Sequence, residues 1–129
     1  MAHPEGPWRQ SAFDHRQHVK FAWTVLAESP DSSPSIIADE IRRFADVHAP
    51  GRYHETITQF WVRLVAHTRA AAGEATDFQT HVTRYPILLD KTALTKHYSS
   101  GALGAAGARS VFVEPDLVPL PSKSQQDAN

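Results

Sequence analysis

The stretch YHETITQFWVRLVAHTRAAA, residues 53 to 72, decides the fold class. An α-helix turns roughly 100° per residue, so side chains at i, i+3, i+4 and i+7 share a face. Ile57, Trp61, Leu64 and Val65 recur at that spacing, over a length that no ordinary strand reaches. The pattern predicts a helix from about Arg52 to Ala72, ended by Gly73.

Working outward toward the N-terminus, apolar residues recur from about Ala12 to Glu28 at Val19, Ala22, Trp23, Val25 and Leu26, which predicts a first helix. The segment SPDSSP breaks it, and Ser33 followed by Pro34 is the start signal of a second helix. Its stripe is Ile37, Ile41 and Phe44, it ends near His48, and Pro50 and Gly51 close it. Toward the C-terminus, Thr76 with Gln79 has the form of a capping box for a shorter helix carrying Phe78, Val82 and Tyr85, stopped by Pro86. Asp90 is placed to cap another through KTALTKHY, with Leu94, His97 and Tyr98 inward. SSGALGAAGAR supplies one or two further helical turns, and VFVEPDLVPLP, with three prolines, runs extended over the helices. The expected architecture is all-α: a compact bundle of about five to six helices with an extended Pro-rich C-terminal strap. Phe21, Trp23, Phe60 and Trp61 are expected in its core. Residues 1–10 read as an N-terminal arm with Trp8 tucked against the body, 11–121 as a single domain, and 122–129 as a disordered tail.

Composition narrows the function classes. Thirteen Lys and Arg against fourteen Asp and Glu give a formal charge of -1, so no strong field draws the chain to nucleic acid or an anionic membrane. Cysteine is absent, which excludes disulfides, thiolate metal sites and a cysteine nucleophile. No apolar run has the form of a secretion signal or a membrane span, which leads us to expect a cytoplasmic protein. No Gly-rich phosphate loop, nucleophile elbow or dinucleotide fingerprint is present.

The eight histidines carry the functional question. In FDHRQHVKFAW, residues 13 to 23, Val19, Ala22 and Leu26 fall within about 40° of His15, which centres it on the apolar face. His18 lies at the edge of that face. On the third helix Ile57, Trp61 and Val65 cluster around His54, whereas Gln59, Arg63 and Ala66 point elsewhere. His67 and His3 read as surface residues. A buried imidazole without partners costs on the order of a few kcal/mol, so something must satisfy these rings.

Three answers are open. Each His bonds a carbonyl, hydroxyl or acid and sets helix register. Alternatively His15, His18, His54 and His97 ligate one transition metal (iron, copper or zinc), leaving a position for water or a small-molecule substrate, while Glu55 and Asp14 orient ligands. The third answer is a metal-free pocket in which His15 or His54 works as acid or base and Glu55, Thr58 or Tyr98 positions a substrate. The metal site, with oxygen-dependent or hydrolytic chemistry, is the leading expectation. Its alternatives are the metal-free enzyme or ligand-binding protein and a non-catalytic module that pairs as a homodimer. Trp61 beside His54 would wall a pocket, the Arg42–Arg43 pair reads as a solvated face, and Glu114 and Asp116 read as solvated loop carboxylates.

The succession FDHRQHVKFAW, YHETITQFW, YPILLDK, KHYS and FVEPDLVPLP resembles a group of small bacterial proteins with no assigned biochemical role, over about Phe13 to Pro121. The resemblance implies a freestanding helical domain and transfers no catalytic residue. Di-iron bundles are an analogy of fold only, because no helix here carries their Glu-x-x-His motif.

Overall fold

Helix α3 (Glu55–Ala72) is buried around most of its circumference: Thr56, Phe60, Val62 and Leu64 are covered as fully as Trp61 and Val65. It is the axis on which the other elements rest. In the computed structural model, residues 15–48, 50–73 and 77–120 are described. Helices α1 (His15–Glu28) and α2 (Pro34–His48) precede the axis. After it come α4 (Phe78–Arg84), a 3₁₀ turn over Pro86–Leu89, α5 (Ala93–His97) and α6 (Ser100–Gly104). No strand occurs among the described residues, and residues 111–120 continue without helix. The chain is therefore an all-helical bundle. No described helix is long and apolar enough to cross a membrane.

The start and stop signals act where local chemistry places them. The Ser33 hydroxyl accepts the Ile36 N–H at 3.2 Å, and Pro34 opens α2. Gly73, at φ 80, closes α3 by donating its N–H to Arg69 O, a conformation that glycine adopts without steric cost. Pro86 ends α4 and begins the 3₁₀ turn. The cap of α4 is Asp77, whose carboxylate accepts the Thr80 N–H at 2.7 Å. Thr76, the expected cap, lies outside the described residues, as do the arm with His3 and Trp8, residues 12–14 including Asp14, and the tail.

α1 and α2 each lie along α3 but touch one another over much less of their length. Val19, Ala22 and Leu26 of α1 and Ile37 and Ile41 of α2 make the shared core with Phe60, Val62 and Val65. Each Val, Leu, Ile or Phe among them contributes about 1.5–3 kcal/mol when fully buried, so this seam outweighs any single polar contact. Because both helices lean on α3 rather than on each other, a cleft runs between them. Phe21 and Phe44, expected in the core and in the buried stripe of α2, flank that cleft at 39% and 42% exposure. Their positions on α1 and α2 face the neighbouring helix across the cleft, and the two backbones do not close on them.

The C-terminal half is fastened to the start of α3. The first amides of a helix lack intrahelical acceptors. Here Glu55 N–H bonds Arg109 O at 2.9 Å and Thr56 N–H bonds Ala108 O at 3.2 Å. The buried Thr56 hydroxyl reaches the carbonyls of Ala108 (2.7 Å) and Val111 (3.1 Å) and accepts the Val113 N–H.

Candidate functional site

α3 begins three residues later than its periodicity suggests, and that moves His54. The residue is the N-cap, extended at φ -140 and ψ 112, with Nδ1 accepting the Ile57 N–H at 3.3 Å. A nitrogen that accepts carries no proton, so the proton sits on Nε2, which donates to Leu103 O at 3.0 Å. Both nitrogens of a neutral ring are thus used. Placing His54 within a helical stripe was wrong in register, because the backbone turns before it enters the helix.

Two other imidazoles expected at the site go to different carbonyls. His15 donates through Nε2 to Leu88 O at 2.6 Å and sets its ring edge-on to Trp61, centroids 4.0 Å apart. His97 donates through Nδ1 to Val118 O at 2.7 Å and packs near Phe60. His18 is half-buried on the α2 side of α1. No three His, Asp or Glu side chains gather into a metal-holding group among the described residues.

Glu55 and Tyr98 also have structural partners. The Tyr53 hydroxyl donates to Glu55 Oε1 at 2.6 Å, Gln59 Nε2 donates to Glu55 Oε2 at 2.6 Å, and Arg63 donates twice to Gln59 Oε1. Arg63 then lies over the Phe112 ring at 4.1 Å. This ladder at i, i+4, i+8 runs along a side of α3 away from the stripe of Ile57, Trp61 and Val65, and Gln59 is buried within it. Burial, and then the bond to Glu55, push the Tyr53 phenol well above its ordinary pKa. Tyr98 is buried and donates to Val113 O at 2.5 Å, and burial pushes its phenol up to about 12. Its hydroxyl therefore holds the Pro-rich segment. Asp116 is not simply solvated, for its carboxylate accepts both the N–H and the hydroxyl of Ser99.

What the structure does bring together is a pocket of about 140 Å³ between α1, α2 and the entry to α3. His18, His54 and Thr58 line it, over an apolar floor that includes Ile41, Ile57 and Trp61. Tyr53 and Arg52 complete the wall. Among the described residues that line it, Arg52 alone carries a permanent charge, and it is exposed at the rim. Arg52 and Tyr53 stand in the turn before α3 although the pattern predicts a helix from about Arg52, and nothing in that pattern marks them as pocket residues. A separate polar pair was also not legible: buried His81 bonds the Thr68 hydroxyl at 2.9 Å beneath Trp23 and Tyr85.

Compared with protein-family models, with curated proteins and with solved structures, the chain gives no match.

Proposed function

We propose that the protein binds a small organic anion, about one aromatic ring in size, in the pocket at the entry to α3. The observation that carries this reading is the combination of an apolar floor with one rim cation in a space of about 140 Å³. Apolar cavities of about 150 Å³ accept benzene, so the volume suits a single ring. Trp61, Ile41 and Ile57 take the ring face, and Arg52 takes the carboxylate in the bidentate geometry that guanidinium favours. Arg52 makes no ion pair with a described residue, so its charge is available to a ligand. His18, Thr58 and Tyr53 supply polar edges that discriminate among rings. His54 forms part of the wall, with both of its nitrogens committed within the protein.

Calorimetric titration with benzoate, backed by amide NMR shifts, tests the proposal. Saturable one-to-one binding with shifts at the α3 entry, weakened about tenfold or more by Arg52→Gln, is the expected result. Absence of saturation at millimolar benzoate, or binding indifferent to Arg52→Gln, overturns it. Stoichiometric zinc binding that is lost in His18→Ala and excludes benzoate also overturns it, in favour of a metal site.

A further inference from the structure

Helix α2 has two apolar faces where its packing uses one. Ile37, Ile41 and Ala45 are buried against the bundle. On another face Ile36 and Val47 are 59% and 72% exposed, and Phe44 lies with them. At roughly 100° per residue, Ile36, Arg43, Phe44 and Val47 all fall within about 60° of Glu40. The exposed face thus reads apolar, acidic, basic, aromatic, apolar along its length.

That order is complementary to its own reverse. Run two copies of α2 antiparallel about a two-fold axis midway between positions 41 and 42. Ile36 then stands opposite Val47 of the second copy, and Glu40 stands opposite Arg43 of the second copy, each pairing occurring twice by symmetry. A parallel arrangement sets Glu40 against Glu40 and Arg43 against Arg43. The charges therefore select one orientation. Glu40 makes no ion pair with a described residue. Arg43 uses Nη1 on Asp39 at 3.3 Å, which leaves Nη2 for a second carboxylate. The cleft between α1 and α2, about 400 Å³ and flanked by Phe21 and Phe44, borders this face. With a net charge of -1, two copies approach without long-range repulsion.

We propose that the protein forms a two-fold homodimer through antiparallel α2 helices, with Ile36–Val47 and Glu40–Arg43 as its reciprocal pairs. Sedimentation equilibrium across a concentration series tests it. The expected mass approaches twice 14.3 kDa. Val47→Glu should give the monomer with unchanged helical circular dichroism, since the side chain is largely exposed. Glu40→Arg and Arg43→Glu should each weaken association about tenfold, and the double exchange should restore it. A wild-type monomer throughout, a dimer indifferent to Val47→Glu, or a double exchange no better than its singles each overturns the proposal. A heterologous binder that covers α2 while the chain alone stays monomeric does so as well.

Discussion

The imidazole of His15 and the carbonyl of Leu88 meet at 2.6 Å, joining α1 to the 3₁₀ turn across 73 positions of sequence. The ring lies at the same time against Trp61, so one side chain links the first helix, the axial helix and the C-terminal half.

His15→Phe should keep the ring contact and leave the Leu88 carbonyl without its donor, whereas His15→Ala removes both. Stranding a part-buried carbonyl costs about 1–3 kcal/mol. Urea unfolding is expected to show a loss of that size for Phe and a larger one for Ala. Equal stability of the three proteins would show that the contact contributes nothing net.

His54 tests the start of α3. His54→Ala deprives Ile57 N–H of its acceptor and should cost about 0.5–2 kcal/mol, the usual range for a lost N-cap. His54→Asn, a better cap by type, should recover at least half of the loss in thermal unfolding. If Ala is neutral, the helix entry is held by residues 108 and 109 alone.

His81 gives a pH dependence with a definite sign. Burial, reinforced by the positive charges of Arg69 and Arg84, holds its pKa below the usual imidazole value. The unfolded chain takes up the proton near pH 6.5, before the folded protein does, so stability is full above about pH 6.5 and falls as the pH drops toward the folded value. Urea midpoints measured from about pH 8 to about pH 5 should decline in the wild type more steeply than in His81→Gln. Identical slopes would assign the acid sensitivity to other groups.

The Pro-rich segment offers a local test. Tyr98→Phe removes the bond to Val113 O, worth about 1 kcal/mol, and Asp116→Ala removes two acceptors from Ser99. Both variants should be cut faster by protease between residues 111 and 120 with little change in helical circular dichroism. The Ser99 bonds hold the Asp116 carboxyl below its usual pKa, so this fastening is present above the ordinary carboxylate range and is lost as pH falls through the lowered value.

Much of the pocket was within reach of sequence reasoning, through a different arrangement from the one expected. His18, His54, Thr58 and Trp61 do line one cavity between helices. The helical wheel pointed to His18, Thr58 and Trp61 because a face shared along a helix is a local property, whereas His54 reaches the cavity from the cap position that the wheel did not assign to it. It counted Arg52 and Tyr53 into a helix that begins after them and did not mark them as pocket residues, nor did it bear on the carbonyls at Leu88, Leu103 and Val118 that take up His15, His54 and His97. Backbone acceptors have no residue type and leave no trace in composition. Gln59 points away from the stripe of Ile57, Trp61 and Val65 and is buried all the same, because an axial helix has almost no wet side.

By itself the sequence determined the kind of the elements and several of their ends: periodicity made the helices, and Ser33, Pro34, Gly73 and Pro86 punctuated them, because those preferences act within a turn or two of chain. Only the tertiary structure decided that Phe21 and Phe44 face a cleft and that His54 caps a helix instead of riding on it. It alone sent three imidazoles to three separate carbonyls. Those outcomes depend on which segments, distant along the chain, come to lie together, and burial against remote neighbours overrides what any local pattern encodes.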